Sequence, residues 1–130
     1  MENYDIIIIG AGGTGLAAAM YAARLGQKTL VFGKNQGSEL PIGGVISTTN
    51  LVENYPGFQK LTGTELAKKI EDHARSYDLV TIKEEPVSKV EKKSEKKFIV
   101  TAEKKKYNAK AVIFATGTKW RKLDIPGSKE

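Results

Sequence analysis

The stretch Tyr4-Asp5-Ile6-Ile7-Ile8-Ile9-Gly10-Ala11-Gly12-Gly13-Thr14-Gly15-Leu16 decides the fold. Ile6 to Ile9 are β-branched and continuously apolar, as a parallel strand covered on both faces requires. Gly10 to Gly15 fit G-x-G-x-x-G. In that pattern Gly10 permits the tight turn out of the strand, Gly12 lets a pyrophosphate approach the backbone, and Gly15 lets the helix lie close on the sheet. Leu16 to Leu25 then reads as a helix, rich in alanine (Ala17, Ala18, Ala19, Ala22, Ala23) and ended by Gly26. Lys28 to Phe32 is a second short strand. Strand, glycine turn, helix and strand in this order give a right-handed βαβ unit, the context in which the glycine pattern means dinucleotide binding. The helix start aims free N–H groups and its positive dipole end at the phosphates.

The pattern leaves NAD, NADP and FAD open. The usual arbiter is an acid ending the second strand about 20 residues on, where it grips the ribose hydroxyls. Gly33 stands there, followed by Lys34. A lysine near the ribose would favour a 2′-phosphate, which makes NADP the runner-up ligand.

Beyond Gly33 the chain is irregular to Leu51, with Gly37, Pro41, Gly43 and Gly44. A loop of this length in a compact domain is functional or disordered. Pro56-Gly57 makes a turn. Thr62-Gly63-Thr64-Glu65 is a capping box, and the helix that it opens carries Leu66, Ile70 and Ala74 on one face. Leu79 to Ile82 reads as a third parallel strand. From Pro86 the texture changes: Val87 to Glu91, Lys97 to Ala102 and Lys105 to Asn108 read as a three-stranded antiparallel meander. Ala111 to Ala115 reads as a buried apolar strand closed by Thr116-Gly117. The fold class is therefore α/β and Rossmann-like: a parallel sheet with a βαβ start and a meander.

The 130 residues suffice for one domain, with 28% charged and 40% hydrophobic residues, an ordinary soluble composition. No apolar run approaches a membrane span, and Met1 leads straight into the first strand, leaving no room for a signal peptide; the expected compartment is the cytoplasm. The net charge of +6 raises the question of nucleic acid. The lysines, however, cluster on hairpin edges, where they discourage edge-to-edge pairing, and no aromatic residues are interleaved for stacking bases. No nucleic-acid partner is expected. The absence of cysteine excludes disulfides, thiolate metal sites and cysteine nucleophiles within this chain. His73, Glu71 and Asp72 read as helix-surface residues. Ser47, Thr48 and Thr49 have no base placed beside them. No catalytic residue and no metal site is assigned.

Two further segments carry a resemblance. Gly43-Gly44-Val45-Ile46-Ser47-Thr48-Thr49-Asn50-Leu51-Val52-Glu53-Asn54-Tyr55-Pro56-Gly57-Phe58 is similar to the G-G-Q-L-T-T-T-x-x-V-E-N-[FY]-P-G-F segment of the thioredoxin reductase family. Ala115-Thr116-Gly117-Thr118-Lys119-Trp120-Arg121-Lys122-Leu123-Asp124-Ile125-Pro126-Gly127 resembles its A-T-G-x-x-x-R-x-L-x-[IVL]-P-G segment. With the opening glycine turn, the three motifs occur in the family's order. The resemblance implies FAD as the cofactor, held at its pyrophosphate by Gly10, Ala11, Gly12, Gly13, Thr14 and Gly15. It places Gly33 and Lys34 by the ribose, Gly43, Gly44 and Val45 along the flavin, and Asn54 near the flavin's polar edge. Val87 would meet the adenine through its backbone, and Ala115, Thr116 and Gly117 would cross close to the cofactor. Three departures stand out: Gly33 replaces the acid, so that the ribose needs backbone, water or a shifted residue such as Glu39; Val45 replaces the glutamine; and the loop from Gly33 to Gly43 is long.

A reductase of this family moves electrons from a pyridine nucleotide through FAD to a cysteine pair. The chain has one glycine fingerprint and no thiol. The resemblance therefore implies residues 1–117 as the first part of an FAD domain and 118–130 as a linker toward an NAD(P)H-binding domain. It also implies a thioredoxin-like partner and allows a homodimer. Taken alone, the chain is expected to be an N-terminal fragment or truncated reading frame with weak FAD affinity, an incompletely covered core and no disulfide reduction. The alternative is a stand-alone module that binds FAD or NADP without catalysis.

Overall fold

In the computed structural model, which describes residues 1–34, 40–118 and 123–127, eight elements surround the glycine turn. They are β1 (Glu2–Ile9), α1 (Gly13–Arg24), β2 (Thr29–Lys34), a 3₁₀ turn (Gly44–Thr48), α2 (Gly63–Arg75), β3 (Val80–Ser94), β4 (Lys97–Ala102) and β5 (Lys105–Phe114). β1 pairs in parallel with β2 on one side and β5 on the other, and β2 pairs in parallel with the start of β3. The later part of β3 pairs antiparallel with β4, and β4 with the start of β5, so that the five strands close into a ring.

The chain between Leu79 and Ala115 departs from the expected string of short strands. Leu79 to Ile82 and Val87 to Glu91 are one 15-residue strand, β3, which changes partner partway along. Pro86 does not break it: Pro86 is the last residue in register with β2, across an irregular step at Lys34. Prolines within sheets are found at irregular steps of this kind. Lys105 to Asn108 likewise continues into Ala111 to Phe114 as β5, paired first with β4 and then with β1. The expectation that Ala111 to Ala115 is buried fails. Beyond Ala109 only β1 lies beside this strand among the described residues, and Ile113 and Phe114 are 37% and 65% exposed.

The core has two compartments. Inside the ring, Tyr4, Ile7, Leu30, Phe32, Val100, Ala102, Tyr107 and Ala109 form one cluster. Tyr107 is fully buried, edge-on to Phe32 at 5.3 Å between centroids, and its hydroxyl accepts a hydrogen bond from Lys83 Nζ. Between the parallel sheet and the helices, Ile8, Ala11, Leu16, Ala19, Val31 and Ala74 form the second. Burial on both faces explains why β1 and β2 read as unbroken apolar runs. In α2 the capping box is formed, Glu65 N–H donating to Thr62 Oγ1 and Thr62 N–H to Glu65 Oε2.

Candidate functional site

The tops of the parallel strands are tied to three loops by single backbone bonds. Gly10 N–H donates to the Phe32 carbonyl at 2.8 Å, Ala115 N–H to that of Ile9 at 2.8 Å, and Gly43 N–H to that of Ala11 at 2.7 Å. The glycine turn, the Gly43-Gly44 segment and the Ala115-Thr116-Gly117 segment therefore meet at one place. Between them lies a cleft of about 1350 Å³, larger than the 300–1,000 Å³ typical of small-ligand pockets and suited to an elongated ligand.

One wall is the turn itself, Gly10 to Thr14, with Ala17 of α1. The second holds Gly33, Leu40, Pro41 and Gly43 to Val45, and the third runs from Phe114 to Thr118. Ile46, Tyr55, Leu66 and Ile70 close the far end. Among the described residues none that lines the cleft is charged. The electrostatics come instead from α1, whose N-cap Gly12 has extended backbone, no side-chain cap and no acid in the following turn. Its leading N–H groups and the positive dipole end are left for an anion.

The glycines divide by what they permit. A Cβ on Gly15 would fall within the Gly10 carbonyl oxygen, and one on Gly10 within that of Ala115; these two let the backbone segments close on each other. A Cβ on Gly12 would meet nothing nearer than the Gly43 carbonyl oxygen at 3.8 Å. Its bareness serves the cleft and not the fold. A Cβ on Gly33 would stand 3.0 Å from Ala11 Cβ and 3.4 Å from Ile42 Cγ1. A side chain at this position would thus meet Ala11 first and Ile42 next.

Of the residues singled out in the sequence, Gly10 to Thr14, Gly33, Gly43 to Val45 and Ala115 to Gly117 line the cleft, and Gly15 is buried beneath it. Lys34 is exposed at the end of β2 and outside the lining, Asn54 borders a separate shallow hollow of residues 53–59, and Val87 is packed against the ring core. Glu39 and Trp120 lie outside the described residues. Ser47 and Thr48 donate to the Gly44 and Val45 carbonyls, holding the 3₁₀ turn, and exposed His73 stacks on Tyr77. Among the described residues no group of three or more His, Cys, Asp or Glu could hold a metal ion, and no helix is long and apolar enough to cross a membrane.

Sequence reasoning missed the apolar end of the cleft. Leu66 and Ile70 read as core because they lie on the buried stripe of α2, and that stripe also faces the cleft. Tyr55 sat unassigned inside V-E-N-Y-P-G-F. Phe114, one residue before A-T-G, carried a signal: a large aromatic where β5 meets the Ala115-Thr116-Gly117 segment.

The sequence profile of the pyridine nucleotide-disulphide oxidoreductase family matches residues 4–130. Thioredoxin reductase of Bacillus subtilis (strain 168) is 39% identical over 98% of this chain, and a 34.2 kDa protein in the rubredoxin operon of Clostridium pasteurianum is 43% identical over 96%. The crystal structure of T. acidophilum thioredoxin reductase superposes with a TM-score of 0.84 at 37% identity over 98% of this chain. The chain spans 38% and 39% of the two relatives and 40% of the solved structure.

Proposed function

Because the chain belongs to the pyridine nucleotide-disulphide oxidoreductase family, we propose that its cleft binds FAD and serves a thioredoxin reductase-like oxidoreductase. The observation that carries this is the cleft itself, where a bare Gly12 and an uncapped helix start stand together with the apolar residues Ile46, Tyr55, Leu66 and Ile70. A pyrophosphate fits the first part, because backbone N–H groups and a helix dipole hold an anion without a cation. A flat tricyclic ring fits the second, bordered by Val45, Ile46, Tyr55 and Phe114. FAD, when bound, supplies two-electron redox chemistry.

Within these 130 residues the proposed work is binding and orientation. Gly10 to Gly15 hold the pyrophosphate, Gly43 to Val45 border the flavin, and Ala115 to Gly117 close over the cofactor. The roles read for Lys34, Asn54 and Val87 rest on the resemblance alone. Residues 1–117 would be the FAD-binding segment and 118–130 the linker. With no cysteine present, the thiols, the reduced pyridine nucleotide and the thioredoxin-like acceptor belong to polypeptide outside this segment, which alone would reduce no disulfide. A homodimer and a cytoplasmic setting complete the proposal.

Titrating the purified chain with FAD while following flavin fluorescence should show quenching that saturates, with NADP⁺ in excess failing to compete. Tight NADP⁺ or NADPH binding without flavin binding would sink the proposal and favour a stand-alone dinucleotide module. What favours that second reading is Gly33, where no acid stands to grip the ribose.

A further inference from the structure

Residues 87–110 contain nine lysines and three glutamates, a net charge of +6. That is the entire excess charge of the chain; the rest is balanced. The segment is the antiparallel part of the ring, and its strands sort the charge. Phe98, Val100, Ala102, Tyr107 and Ala109 turn into the ring core, so by strand alternation Lys97, Ile99 and Thr101 of β4 and Lys106, Asn108 and Lys110 of β5 face outward. The register sets Lys89 opposite Thr101 and Thr101 opposite Lys106, and Glu91 opposite Ile99 and Ile99 opposite Asn108.

Counter-charge on this face is scarce. Glu91 takes both Lys89 and Lys93 at 3.2 Å, and Asp5 takes Lys110 at 2.7 Å. Lys97 and Lys106 have no acidic partner among the described residues. At the centre of the same face, Thr101 Oγ1 and Asn108 Oδ1 are enclosed and have no hydrogen-bond partner. Polar atoms of this kind are ordinarily satisfied.

We propose that this outer face, framed by Lys89, Lys97 and Lys106, is a docking surface for a protein with an acidic face. Lysines that outnumber the acids beside them, with Lys97 and Lys106 unmatched, create a local positive potential that steers an acidic partner and fixes its orientation. The face is three strands wide and about five residues long, roughly 200 to 300 Å² by strand spacing and rise. That is far below the ~800 Å² per partner of a stable complex, so the complex is brief and salt-sensitive. A protein suits it better than nucleic acid: Ile99, Thr101 and Asn108 offer no aromatic ring for stacking a base. The inference rests on the meander alone and stands or falls apart from the cofactor.

The test uses the chain with a poly-L-glutamate of about twenty residues and a single-stranded oligonucleotide of matching charge, in low salt. K97E/K106E is compared with K60E/K69E, an equal change of net charge placed elsewhere, with circular dichroism checking the fold of each. Polyglutamate binding should weaken about tenfold or more in K97E/K106E and less than about threefold in K60E/K69E. The milder K97Q/K106Q should fall between wild type and K97E/K106E, which keeps the test alive if charge reversal disturbs folding. Equal weakening in the two reversal variants, or no polyglutamate binding by the wild type, would overturn the proposal. Tighter binding of the oligonucleotide than of polyglutamate would overturn it in favour of nucleic acid.

Discussion

A methyl group at Gly12 would come no closer than 3.8 Å to protein, whereas one at Gly15 would collide with the Gly10 carbonyl oxygen. The two substitutions therefore separate binding from folding. Gly12→Ala should leave thermal stability within about 0.5 kcal/mol of wild type, since Gly12 has ordinary negative φ. It should weaken FAD binding by tenfold or more, because the methyl enters the space of the pyrophosphate. Gly15→Ala should instead destabilise by about 1–3 kcal/mol, the cost of overpacking. Chemical denaturation together with flavin titration of the pair checks both. At this scale the sequence was legible for Gly10 to Gly15, where local chemistry dictates the turn. It was not legible at Gly33: that a Cβ there would meet Ala11 and Ile42 depends on how two other segments fold back on it.

The elements differ in how their ends are held. The reciprocal bonds of the α2 capping box make Thr62→Ala a test of one cap, expected to cost about 1 kcal/mol in a urea melt. Asp5 fastens three strands, accepting from Lys110 Nζ on β5 and from the Lys28 N–H just before β2. The Lys110 ammonium first, then the Lys28 amide, hold its carboxyl below the usual aspartate value of 3.8. A depressed folded-state pKa stabilises fully above the unfolded value, and the gain is lost as pH falls through the folded one. Stability should thus decline below about pH 4, and Asp5→Asn should flatten that part of the profile in acid-titrated melts. The βαβ start and the capped helix were readable because their signals are local. The continuity of β3 through Pro86 was not, because a proline is tolerated within a sheet at an irregular step, and this one lies where β3 changes partner. That change is a matter of long-range pairing.

At the scale of the whole molecule, the cleft draws on segments from Gly10 to Thr118, so a ligand there should stabilise the fold globally. FAD at about a hundred times its Kd should add about 2.7 kcal/mol, read as a rise in Tm that Gly12→Ala loses at the same FAD concentration. A Tm unmoved by saturating FAD would contradict binding in this cleft. The three cleft-lining motifs were legible one by one. Their convergence was not, since the hydrogen bonds joining Gly43 to Ala11 and Ala115 to Ile9 span tens of residues.

The pairing of β1 with β5 sets Glu2 opposite Tyr107 and Ile9 opposite Phe114. During vectorial synthesis β1 emerges well before β5 and gains its second neighbour only when β5 is made. At about 5–20 residues per second, the Ile6 to Ile9 run waits roughly five to twenty seconds with one edge open. For that interval the nascent chain presents a β-branched apolar strand with one edge unpaired, the kind of edge on which other chains can pair.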